Sequence, residues 1–133
     1  MLTKTKILIV DDSSDLLKVL KIFLEKKLYQ VSIASTKELF TTELRNFKPD
    51  VILLDIYMKD IGDGREICKT LKSNIETKEI PVILMSAANK ALENYEECNA
   101  DAIIEKPFSL SKLIQQIKSV TDAGISADGF PKK

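Results

Sequence analysis

The chain has 133 residues, 44% apolar and 30% charged, which is the balance of an ordinary globular domain long enough to bury a core. Lysine plus arginine and aspartate plus glutamate stand at 20 each, so no net field draws the chain to nucleic acid or an anionic membrane, and no apolar run approaches a membrane span. Histidine is absent, which excludes imidazole catalysis, imidazole-ligated zinc and an internal phosphohistidine; Cys68 and Cys98 form no CxxC and fit a reduced, cytoplasmic compartment.

Lys6 to Val10 is a short apolar strand that runs into the acidic pair Asp11-Asp12. Ser13 or Ser14 suits a helix N-cap, and Leu16, Leu17, Leu20, Phe23 and Leu24 then recur at helical spacing until Lys26-Lys27. Tyr29 to Ala34 alternates apolar and polar, as an edge strand does. Ser35 and Glu38 have capping-box spacing, followed by a helix with Leu39, Phe40, Leu44 and Phe47 inward. Val51-Ile52-Leu53-Leu54 is an unbroken aliphatic run, the pattern of a strand covered on both faces, and it stops at Asp55.

Lys59 to Gly64 is a turn-rich loop, and a third helix carries Ile67, Cys68, Leu71 and Ile75. Pro81 to Met85 is a fourth apolar strand ending at Ser86, and Asn89 to Glu97 is a weaker helix with Leu92 and Tyr95 inward. Ala102-Ile103-Ile104 is a fifth strand before Glu105-Lys106-Pro107. Ser109 caps a last helix with Leu110, Leu113, Ile114, Ile117 and Val120 on one face. Residues 1–123 thus read as one domain, and 124–133 as a loose tail or the start of a linker. Strands alternating with helices predict an α/β domain with a five-stranded parallel sheet.

In a parallel sheet the carboxyl ends of the strands share one rim, where ligands of open α/β sheets bind. That rim collects Asp11-Asp12, Asp55, Ser86 and Lys106. Two unit charges about 4 Å apart interact by ~4 kcal/mol at an effective dielectric of about 20. Three converging carboxylates therefore repel severely, or shift upward in pKa, unless a cation sits among them. Lys106 supplies one, and a hard divalent ion with oxygen ligands supplies the rest. Mg²⁺ suits a site with carboxylates, waters and a phosphate oxygen, and Mn²⁺ is an acceptable substitute. The same charges would offset a phosphoryl group arriving at Asp55, since carboxylates can form aspartyl phosphates, and Ser86 can donate a hydrogen bond to it.

With Ile7-Leu8-Ile9-Val10-Asp11-Asp12, Asp55, Pro81 to Ala87 and Lys106-Pro107-Phe108 in this order, residues 4–121 resemble the receiver domain of two-component response regulators, of the single-domain chemotaxis-regulator type. The resemblance implies a flavodoxin-like (βα)5 three-layer sandwich with strand order 2-1-3-4-5. It implies Mg²⁺ held by Asp11, Asp12, Asp55 and the backbone carbonyl of Tyr57, and a phosphoryl group passed to Asp55 from a sensor histidine kinase or histidine phosphotransfer protein. It further implies Ser86 as the switch hydroxyl, Lys106 on the phosphoryl group, and a cis peptide before Pro107. Output through residues 89–120 and a homodimer through the last two helices accord with the family.

Ile103 stands where many receivers carry Tyr or Phe, so the usual coupling of a hydroxyl to an aromatic ring is missing. In the loop after Asp55, Lys59 replaces a common proline and Gly62 is one extra residue before Asp63-Gly64. Asn99 replaces a common glycine, and asparagine tolerates the left-handed region. Tyr57 and Ala88 fall where the family tunes loss of phosphate. Two rival functions remain in view. An aspartyl-phosphate hydrolase would need a second aspartate where Tyr57 stands. A pseudo-receiver module independent of phosphorylation would not need the Asp11, Asp12, Asp55 and Lys106 set.

Overall fold

The computed structural model describes residues 4–87 and 98–122. Three runs of aliphatic residues become the middle of a parallel sheet: β1 (Lys6–Val10), β3 (Val51–Asp55) and β6 (Val82–Ser86). Both faces of β3 and β6 are buried along their whole length, so no alternation shows in their sequences. β2 (Gln30–Ala34) and β7 (Ala102–Glu105) are the edges, giving the order β2-β1-β3-β6-β7. Counting only these five strands, this is the expected 2-1-3-4-5, with every pairing parallel. Between them a two-residue hairpin, β4 (Tyr57–Met58) with β5 (Gly62–Asp63), stands apart from the main sheet.

Helices α1 (Ser14–Lys26), α2 (Lys37–Asn46), α3 (Gly64–Ser73) and α4 (Leu110–Asp122) divide between the two faces. Ile7, Ile9, Leu53, Ile83 and Met85 point to one side, against Leu17, Leu20 and Leu24 of α1 and Leu113 and Ile117 of α4. Leu8, Val10, Ile52, Leu54 and Leu84 point to the other, against Phe40 of α2 and Cys68 and Leu71 of α3. Each fully buried aliphatic side chain contributes about 1.5–3 kcal/mol relative to exposure, which is why these positions fix the register.

Several local expectations are corrected. The N-cap of α2 is Thr36, whose hydroxyl accepts from Leu39 N–H at 3.1 Å, rather than Ser35. Leu39 lies 45% exposed, leaving Phe40 as the buried residue of that helix. α3 stops at Ser73, so Ile75 falls beyond it and is exposed. The α1 cap is Ser13, with its hydroxyl 3.3 Å from Leu16 N–H. Asn99 does take a left-handed conformation, φ 63°. The helix expected over Asn89 to Glu97, with Ala88 and Tyr95, and the tail 124–133 lie outside the described residues.

Candidate functional site

β1 and β3 are adjacent, yet the chain leaves them toward opposite edges of the sheet, so the crevice beyond their carboxyl ends is the switch point of the topology. Register fixes what meets there: Val10 sits beside Leu54, and Asp55 beside Met85, which precedes Ser86. Asp11 and Asp12 therefore follow β1 into the same crevice that Asp55 closes. One carboxylate oxygen from each of Asp11, Asp12 and Asp55 lies within 4.8 Å of the others.

Lys106 enters from the far edge, directly after β7. Its Nζ donates to Asp11 Oδ2 at 2.8 Å and lies 3.2 Å from Asp55 Oδ1. Its backbone N–H donates to the Ser86 carbonyl at 2.6 Å, tying the end of β6 to the start of the next segment. The Lys106-Pro107 peptide is cis. Ser86 is fully buried at the same rim, and Ile103 is half-buried, two register positions below it beside Leu84.

Electrostatics at this point are unfavourable to a bare carboxylate. Burial, and then repulsion by Asp11, raise the Asp55 pKa from 3.8 to about 6; Lys106 opposes them and Asp12 adds to them. For Lys106, burial works against the charge, but its bond and attraction to Asp11, with help from Asp55, prevail and raise its pKa. A hard cation therefore fits the donor set: three hard oxygen ligands, two on nearly buried residues, in a place that destabilises uncompensated negative charge.

Several partners of this site are not evident from strand-end reasoning. Asp12 Oδ2 accepts the backbone N–H of Lys59 at 3.1 Å, which draws the loop after Asp55 over the acidic pair. Gly64 lies so close beneath that a Cβ there would stand 2.1 Å from the Asp55 carbonyl oxygen. Asp63 caps α3 and receives Arg65 Nη2 at 2.8 Å and Nε at 3.2 Å, and the guanidinium holds its carboxyl below the usual range. Arg65 also sits 5.7 Å from the Tyr57 ring centroid. Asp63-x-x-Glu66 has capping-box spacing and could have located the start of α3; no sequence signal joins Arg65 to Tyr57.

The class these features define is a doubly wound α/β domain with an acidic, cation-ready crevice at its switch point. The family profile "Response regulator receiver domain" matches residues 7–118, and the chain belongs to that family of signalling domains. The nisin biosynthesis regulatory protein NisR of Lactococcus lactis subsp. lactis is 38% identical over 118 residues, 86% of this chain and 49% of that protein. The chain thus spans about half the length of the curated relatives it matches. The signal receiver domain of a signal transduction histidine kinase from Syntrophus aciditrophicus superposes with a TM-score of 0.80 at 30% identity, covering 90% of this chain and 91% of that one. A two-component response regulator from Clostridium difficile gives 0.78 at 29%, covering 90% and 97%. Among the described residues no helix is long and apolar enough to cross a membrane.

Proposed function

We propose that this receiver domain accepts a phosphoryl group on Asp55 from the phosphohistidine of a partner kinase or phosphotransfer protein, and changes its partner binding in response. The observation that supports this best is the meeting of Asp11, Asp12, Asp55 and Lys106 around one point. An Asp55 carboxylate oxygen attacks phosphorus, the P–N bond breaks, and the imidazole departs with the electron pair. Lys106 offsets charge on the phosphoryl oxygens, and the Ser86 hydroxyl donates to one of them. Mg²⁺, or Mn²⁺, held by Asp11, Asp12, Asp55 and the Tyr57 carbonyl, would neutralise the carboxylates and the incoming phosphoryl group.

Approach of the donor is favoured over a cavity of about 530 Å³ beside Lys106, lined by Leu16, Val19, Pro107, Phe108 and Leu110. Val19 and Ile22 continue that apolar surface along α1 at 58% and 59% exposure, a combination that suits a helical partner. In this reading output runs through residues 89–120 to a protein partner or a second copy of the chain, the domain is residues 1–123 with 124–133 a tail or the start of a linker, and the setting is cytoplasmic. Ile103 in place of an aromatic ring favours one second reading, a pseudo-receiver whose binding ignores phosphorylation.

Incubation with acetyl phosphate and Mg²⁺, followed by intact mass, separates the two. A single phosphoryl adduct that vanishes in Asp55→Asn is expected. Its absence from the wild-type chain would leave the pseudo-receiver.

A further inference from the structure

Tyr57 is the large side chain nearest in sequence to the acceptor that the core does not use. Ile56 is fully buried, whereas Tyr57 is 54% exposed and shares with Asp12 a cavity of about 480 Å³ at the acidic rim. An exposed ring on a two-residue strand would turn freely unless something held it. Arg65 holds it: the guanidinium faces the ring at 5.7 Å and is itself fixed by two bonds to Asp63. Asp63 is in turn the cross-strand partner of Tyr57, so ring, guanidinium and carboxylate close a short circuit across the β4–β5 hairpin.

We propose that Arg65 is a positioning residue that keeps the Tyr57 ring at the mouth of the acceptor site and so lengthens the life of a phosphoryl group on Asp55, a proposal that rests on the phosphoacceptor reading above. Loss of the group is a hydrolysis: water oxygen bonds to phosphorus, the bond between phosphorus and the Asp55 carboxylate oxygen breaks, and the carboxylate, inorganic phosphate and a proton are released. Water attacks in line with the departing carboxylate oxygen, from the side away from Asp55, and Tyr57 and Asp12 both border the cavity at that rim. A stacked guanidinium restricts the ring without touching the reacting atoms.

The test charges the chain with acetyl phosphate, removes the donor and follows decay by intact mass at fixed Mg²⁺. Arg65→Ala is expected to shorten the lifetime about two- to fivefold, the factor matching an exposed cation–π contact. Asp63→Asn, which keeps a good capping residue and loosens the guanidinium, is expected to act in the same direction and serves should Arg65→Ala not fold. In a Tyr57→Ala background, Arg65→Ala is expected to add nothing. In the uncharged protein the Tyr57 ring resonances are expected to shift on Arg65→Ala. An unchanged lifetime in Arg65→Ala, an equal shortening in the Tyr57→Ala background, or unmoved ring resonances would overturn the assignment. A wild-type chain that never takes the phosphoryl group overturns the phosphoacceptor reading instead, and is recognised before any variant is compared.

Discussion

Replacing Asp55 by asparagine should stabilise the fold, and only above a definable pH. The unfolded chain releases the Asp55 proton near 3.8, whereas burial and repulsion by Asp11 hold it in the folded protein to about 6. Below the lower value both states are protonated and the site has no effect. Between the two the folded state binds the extra proton, so stability falls as pH rises through the window, and above about 6 the loss is complete. A shift of about two units at about 1.4 kcal/mol each sets the loss at ~3 kcal/mol. Asparagine has the shape of the protonated acid and never ionises. The variant should therefore match the wild type near the bottom of the window and exceed it by up to ~3 kcal/mol at neutral pH.

Urea unfolding followed by circular dichroism at intervals across that range gives both curves, provided the m-values agree. Carboxylates remote from the site are the same in both proteins, so the difference between the curves reports Asp55 together with the charges that face it, Asp11 and Lys106. Saturating Mg²⁺ should then narrow the gap at neutral pH, since a ligand at a hundredfold its Kd stabilises the folded wild type by about 2.7 kcal/mol. A gap of the same size at both ends of the pH range would refute the reasoning, because it would mean that the substitution acts through packing and not through charge.

Gly64→Ala should cost ~3 kcal/mol or more in urea unfolding, since its Cβ would meet the Asp55 main chain, which cannot turn aside as a side chain would. Lys106→Met should raise the Asp55 pKa further by removing the ammonium that faces both Asp11 and Asp55, seen as a carboxyl titration moved upward in NMR. Thr36→Ala should lower stability by ~1 kcal/mol while Ser35→Ala leaves it nearly unchanged, as thermal unfolding would report. The Cys68 thiol, pushed up to about 12 chiefly by burial and then by Cys98, should resist alkylation in mildly alkaline buffer until the chain is denatured, as mass spectrometry would show.

The convergence was legible because each of its residues ends a strand or follows one within two residues. A parallel ladder converts a position along the chain into a position on the rim, so Asp11, Asp55, Ser86 and Lys106 needed only the strand boundaries to be brought together. What the sequence concealed depends on geometry across loops. The extra glycine, Gly62, takes φ 121° and lets Tyr57 pair with Asp63, and nothing in the residue types alone shows that Arg65 then turns toward the ring. Ser35 and Thr36 are equally good caps by type, and the choice between them falls to where the chain leaves β2. Leu39 and Ile75 look like core residues by spacing, but α2 packs through Phe40 and α3 ends two residues before Ile75.

The energetic cost at Asp55 bears on how a signal could be read without an aromatic residue at Ile103. A site that destabilises its own charge gives a cation or a phosphoryl group leverage over the fold, because any ligand that relieves the repulsion shifts every equilibrium coupled to it. Asp55 and Ser86 end strands with both faces buried and register fixed by neighbours on each side, so those positions are poor candidates for movement. Lys106 differs: it follows an edge strand, it is held to β6 through one backbone bond to Ser86, and its ammonium is committed to Asp11 and Asp55. A new anion on Asp55 competes for that ammonium. Motion then follows from the edge strand and the chain on either side of it. Hydrogen exchange over residues 98–108, with and without beryllofluoride as a phosphoryl mimic, should change at Ile104 to Lys106 while β1 and β3 stay protected; equal protection at both places would mean that Lys106 transmits nothing.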